Sequence, residues 1–140
     1  MTNDKEYIFE QIHNGIESKD TKELELAINL IWTSGYDLAI FTEILNELLL
    51  VKHHRSHQVI TKRLQSIASP TSVPFIRKVL ETNFDYLEYT CSEDEVIAKW
   101  FSWALYAIGT DEAINLIKEY TFSDNEGIKN EMIYRLNQIN

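Results

Sequence analysis

An all-α fold, built from antiparallel helix pairs stacked on one another, is what this sequence predicts. Three observations carry that expectation. Among 140 residues there are only four Gly and two Pro, which favours long regular elements with short joints over a turn-rich β fold. Apolar residues return at helical spacing through almost the whole chain. Cap and stop residues cut that periodicity into about eight segments, and short joints between helices imply antiparallel neighbours.

The segments follow in order. Asn3, with Glu6 three positions on, can open a first helix whose apolar face carries Tyr7, Ile8, Ile12 and Ile16. Asp20 with Glu23 opens a second, on Leu24, Ala27, Ile28, Ile31 and Trp32, and Gly35 suits its stop. A third runs from about Asp37 to Val51 on Leu38, Phe41, Ile44, Leu45, Leu48 and Leu49. Lys52, His53, His54 and Arg55 then form a polar joint. A fourth helix starts near Ser56, carries Val59, Ile60, Leu64, Ile67 and Ala68, and ends at Pro70. Thr71 or Ser72 can cap the fifth, with Pro74 in its first turn and Val73, Ile76, Val79, Leu80 and Leu87 facing inward. Ser92 and Glu95 make a capping box for the sixth. That helix is apolar nearly all round, through Val96, Ile97, Trp100, Phe101, Trp103, Ala104, Leu105 and Ile108, which suits a central position. Phe101, Ala104 and Ile108 are therefore expected to be buried. Gly109 stops it, and Thr110 caps a seventh on Ala113, Ile114, Ile117 and Tyr120. Ser123 with Glu126 opens the last, on Ile128, Met132, Ile133, Leu136 and Ile139. The second and third helices, the fourth and fifth, and the sixth and seventh are expected to pair.

Bulk properties narrow the function. The length suits one domain, residues 1–140. Thirteen Lys plus Arg against twenty-two Asp plus Glu leave a formal charge of −9, which argues against phosphate-backbone binding. An acidic surface suits a basic protein partner, and it also aids solubility. Cys91 is the single cysteine, so neither an internal disulfide nor a thiolate-rich metal site is expected. The N-terminal residues lack the pattern of a signal peptide, and no apolar stretch reaches membrane-spanning length, so a cytoplasmic protein without membrane association is expected.

An internal repeat is visible. Val59, Ile60, Lys62 and Leu64 superimpose on Val96, Ile97, Lys99 and Phe101, and Ile128, Ile133 and Leu136 continue the spacing. The period is roughly 32–37 residues, in the range of helix-pair solenoids. On these residues the chain resembles a HEAT-repeat protein. Val59 to Pro70 followed by Ser72 to Ile76 looks like one repeat, and Val96 to Gly109 followed by Thr110 to Ile114 like the next. The corner Ile108, Gly109, Thr110 with Glu112, Ala113 and Ile114 is similar to the short HEAT-like repeats of bilin lyases. The resemblance is good over residues 56–121 and loose over 20–52 and 123–140. It departs from the pattern at Arg63 to Ile67 and at Phe84 to Cys91, and the Asp–Arg ladder between repeats is not evident. It implies a short right-handed solenoid whose second helices line a concave surface.

Residues with chemical potential are few. His53, His54 and His57 form the densest histidine cluster, but no thiolate or carboxylate beside them completes a ligand set, so a surface loop is expected. Glu10 and His13 have the spacing of a di-iron motif, which requires a second copy and two further Glu. Cys91 reads as a small buried filler. Trp32, Trp100 and Trp103 read as core, with one of the last two able to reach the surface. No nucleotide-binding or hydrolase motif is present. Neither catalysis nor a metal or cofactor is expected.

A polar ridge on the third, fifth and seventh helices is the informative pattern. It comprises Glu43, Asn46 and Glu47, then Glu81, Asp85, Glu88 and Tyr89, then Glu112, Asn115 and Glu119. From Val79 to Ala98 there is no Lys or Arg, while Glu93 and Asp94 add to the acids there. Acid interleaved with aromatic residues suits a cationic protein partner. In size, charge and architecture the chain resembles bacterial immunity proteins of the contact-dependent inhibition and polymorphic-toxin class. That resemblance implies neutralisation of a basic toxin domain, such as a nuclease, by covering its active site. Two other HEAT-like roles compete. A bilin-lyase-like chaperone or enzyme subunit needs a pigment pocket, and a generic scaffold needs only a binding face. A DNA glycosylase of HEAT type would need a basic groove with stacking aromatics.

Overall fold

The computed structural model describes residues 4–139. These form an all-helical chain of eight α-helices, with no strand among the described residues. The helices are α1 (Lys5–Ser18), α2 (Thr21–Thr33), α3 (Thr42–Leu49), α4 (His57–Ile67), α5 (Val73–Glu81), α6 (Asp94–Ile108), α7 (Asp111–Tyr120) and α8 (Glu126–Ile139). Short 3-10 segments cover Leu38–Phe41, Pro70–Ser72 and Asp85–Thr90. No helix of the described residues is long and apolar enough to cross a membrane.

From α3 to α8 the helices alternate between two packed rows. Helix α4 packs on α6 and α6 on α8, while α3 packs on α5 and α5 on α7. Helix α1 packs on α2 at one end. Among consecutive helices the main contacts are α1 with α2, α3 with α4, α6 with α7 and α7 with α8. The expected pairing of α6 with α7 is therefore present. The main partner of α2 is α1 rather than α3, and α4 leans on α3 and α6 rather than on α5. Segments 34–41 and 68–72 account for that shift, because each inserts a 3-10 turn between the helices expected to pair.

One buried apolar cluster runs from Ile8 to Met132. The central helix α6 contributes Ile97, Ala98, Phe101, Ala104 and Leu105, while Ile108 is only half-buried. Two glycines permit close approach. A Cβ on Gly15 would lie 2.8 Å from the Leu24 backbone, so α1 and α2 meet there without a side chain between them. A Cβ on Gly127 would lie 2.7 Å from the Glu95 amide, so the first turn of α8 sits directly on α6.

Several caps differ from expectation. Asn3 lies outside the described residues; Asp4 caps α1, accepting from the Tyr7 amide at 2.7 Å. Asp20 and Thr110 cap as expected, accepting from the amides of Glu23 and Ala113. Ser92 does not cap α6, whose N-cap is Glu93 without a side-chain bond. Helix α8 is capped by Asn125, not Ser123: its Oδ1 accepts from the Ile128 amide at 3.1 Å. Its amide group also donates to Asp94 at 2.8 Å and to Asn83 at 3.2 Å. That three-way tie explains the choice, since Asn can accept and donate at once whereas Ser123 would close only the local turn.

Candidate partner-binding surface

The acidic ridge is divided by the backbone. Helix α5 ends at Glu81 because Asn83 and Phe84 both take left-handed backbone angles, φ +59° and +64°. Such angles are disfavoured for an L side chain other than Asn or Asp. Phe84 gains burial in exchange: its ring is 1% exposed and stacks on Phe101 at 5.9 Å. Asp85, Glu88 and Tyr89 therefore lie on a separate 3-10 segment and do not continue the face of Glu81.

Tyr89 is only partly exposed, and its hydroxyl is engaged inside the protein: it lies 2.5 Å from His57 Nδ1 and accepts from the His57 amide at 3.3 Å. This joins it to a cluster that the sequence reading placed in a surface loop. His54 and His57 are 2% and 1% exposed and stack at 3.9 Å. They bond carbonyls at the C-terminal end of α3 and just beyond it, where the helical ladder runs out. His54 Nε2 meets the Leu48 carbonyl at 2.8 Å, His57 Nε2 meets that of Val51 at 2.7 Å, and the Tyr86 hydroxyl donates to Leu49 at 2.7 Å. Each Nε2 must carry the proton to do this, so each Nδ1 is an acceptor. The Ser56 amide donates to that of His54 at 3.0 Å, and the Tyr89 hydroxyl donates to that of His57. Burial lowers the pKa of both rings, that of His57 to about 4, with the second imidazole adding to the effect there. Burial likewise raises the Tyr86 and Tyr89 phenols.

Asn46 is also internal. It is 1% exposed, accepts from the Ser72 hydroxyl at 2.6 Å and donates to Thr71 at 3.2 Å. It pins α3 to the corner before α5, and helical spacing alone could not distinguish this from a place on the ridge. Cys91, expected as buried filler, is exposed, with a left-handed φ of +56°. Among the tryptophans Trp103 is exposed, while Trp32 and Trp100 are half-buried.

The remaining ridge residues are exposed, in distinct surroundings. Glu119 of α7 accepts two bonds from Arg77 of α5, at 2.8 and 3.0 Å. Glu81 adds to the field on that guanidinium, whose pKa is raised chiefly by its bonds to Glu119. Asp94 is engaged by Asn125. Glu93, Asp85, Glu88, Glu112 and Asn115 are solvent-exposed.

Glu43 and Glu47 stand apart because they edge two hollows at once. One, of about 380 Å³, lies between α1 and α3 and is lined by Phe9, His13, Glu43, Ile44 and Glu47. The other, of about 490 Å³, lies between α3 and the start of α5 and is lined by Glu43, Asn46, Glu47, Thr71 and Phe75. His13 Nε2 of α1 is 3.9 Å from Glu47 Oε2 of α3, beside the first hollow. Phe9, His13 and Phe75 were missed as site residues. Phe9 falls just off the apolar stripe of the first helix, and Phe75 reads as an ordinary first-turn residue beside Pro74. Chemically the arrangement offers two carboxylates beside aromatic side chains, a setting that attracts Lys or Arg side chains by charge and by cation–π contact. No family model matches the chain, and no curated protein or solved structure matches it either.

Proposed function

We propose that this chain is a protein-binding module that takes cationic side chains of a partner at the ridge of α3. The observation that carries the reading is the pair of hollows that share Glu43 and Glu47 as their common edge, with Phe9 on one side and Phe75 on the other. Both carboxylates line both hollows, of about 380 and 490 Å³. The HEAT-like resemblance and the charge of −9 favour a specific form, an immunity protein covering the active site of a basic toxin domain. Carboxylates stand where that domain's anionic substrate would lie, and the acidic field speeds encounter.

Affinity purification of the tagged chain from its host, with mass spectrometry, identifies the partner, and calorimetry with the purified partner domain then tests the site. Glu43→Lys with Glu47→Lys should weaken binding by about 2 kcal/mol or more. Thermal stability should stay nearly constant, because exposed charges contribute little to folding. Association should slow as salt rises. An unaltered affinity in the double variant would overturn this placement of the site.

A further inference from the structure

A second charged surface lies on the other row. From Leu48 to Leu80 the chain has no Asp or Glu, yet it holds Lys52, Arg55, Lys62, Arg63, Arg77 and Lys78. This acid-free stretch sits inside a strongly acidic protein, and α4 lies within it. At the seam where α4 packs on α6 there is a hollow of about 250 Å³, lined by Gln58, Lys62, Gln65, Lys99, Trp100 and Trp103. A second, of about 310 Å³, adjoins it and is lined by Arg55, Ser56, Gln58, Val59 and Lys62. The two share Gln58 and Lys62, so they form one groove running from Arg55 to Trp103 with no carboxylate in its lining. Among the described residues neither Lys62 nor Lys99 is engaged in an ion pair.

We propose that this groove is a second docking site, for an extended acidic peptide segment of a partner protein that carries an aromatic or aliphatic anchor. Charge complementarity selects the sign at the α4–α6 seam, where Lys62 and Lys99 stand without an ion pair; at the Arg55 end Glu25 bonds the Arg55 amide and the Ser56 hydroxyl, so the acidic residues of the peptide meet the seam. The indoles of Trp100 and Trp103 supply the surface for the anchor. The glutamines select a peptide over a simple anion. Each carboxamide both donates and accepts, as a peptide bond does, whereas a bare carboxylate only accepts. Gln58 and Gln65 flank Lys62 on one stripe of α4. Their seven-residue separation is roughly 10 Å along the helix axis, about the span of three extended residues. A nucleic acid fits less well. Three cations neutralise few phosphates, and a longer polyanion would run past the groove onto the carboxylates of Glu25 beside Arg55 and of Glu95 one turn before Lys99. The site is independent of the ridge on α3, so the chain could hold a basic and an acidic partner together.

The test uses the full chain and capped decapeptides with a central Trp-free aromatic residue flanked by Asp and Glu. Tryptophan fluorescence and amide NMR shifts report binding. Saturable binding that moves the indole signals of Trp100 and Trp103 is expected, and the same peptide with Lys flanks should not compete. Lys62→Glu with Lys99→Glu should weaken binding roughly tenfold or more. Gln58→Ala with Gln65→Ala, which leaves the charges in place, should weaken it as well. Glu43→Lys with Glu47→Lys should leave it unchanged. Circular dichroism confirms that each variant is folded. The proposal is overturned by an absence of saturable peptide binding, by insensitivity to the lysine reversal, or by tighter binding of a decathymidylate oligonucleotide. Benzoate or inorganic phosphate binding as tightly as the peptide would also overturn it, making the groove a small-anion site.

Discussion

Acidification should destabilise this protein through the two imidazoles beneath the end of α3. Their neutral forms are bonded on both nitrogens, with Nε2–H on a carbonyl and Nδ1 accepting. Protonating Nδ1 of His54 sets N–H against the N–H of Ser56, and protonating either ring places charge in a buried stack 3.9 Å from the other. Glu25 and Tyr89 face the same cluster, and Glu25 offsets the cost for His54 only in part. The folded state therefore binds fewer protons than the unfolded state between the two pKa values, and stability rises with pH across that interval. For His57 the interval runs from 6.5 down to about 4. The stabilisation is complete above 6.5 and is lost as pH falls toward 4, amounting to roughly 3 kcal/mol at about 1.4 kcal/mol per pH unit. His54 adds loss in the same direction. Urea unfolding at several pH values between 7 and 5 measures the slope, and His54→Gln with His57→Gln should flatten it. Titration of the imidazole NMR signals supplies the direct check: His57 changing protonation near 6.5, or an equal slope in wild type and variant, would refute the reasoning.

Three further outcomes follow from packing. Phe101→Ala removes a ring that is 1% exposed and stacked on Phe84, and should cost about 3–5 kcal/mol in chemical denaturation. Asn46→Ala orphans the buried Ser72 hydroxyl and should cost about 1–3 kcal/mol, without altering charge. Arg135 is 2% exposed, lies 3.8 Å over the Trp103 ring and bonds Ser102, while its Nη2 stands 3.7 Å from Glu131 Oε2 and neither atom makes a hydrogen bond. Arg135→Ala should cost about 3–5 kcal/mol by stranding that carboxylate, whereas Arg135→Leu with Glu131→Leu should be close to neutral in thermal unfolding.

Helix content, most boundaries and most of the core are local properties, and the sequence by itself determined them. Periodicity at Leu24, Ala27, Ile28 and Ile31, caps at Asp20 and Thr110, and the left-handed stop at Gly109 depend only on neighbours a few positions away. Tertiary structure decided what distant residues do to one another. Helix α5 stops early where Asn83 and Phe84 turn left-handed and Phe84 stacks on Phe101, which divides the acidic ridge. Asn46 and Tyr89 look like surface polar residues until Ser72 and His57, far off in sequence, are brought against them. The histidines look like a loop until the chain leaving α3 brings the Leu48 and Val51 carbonyls against them. Glu43 and Glu47 edge two hollows only when Phe9 and Phe75 arrive from α1 and α5. Burial of a polar group is decided by the partner that satisfies it, and that partner lies on another helix, beyond the reach of spacing along one.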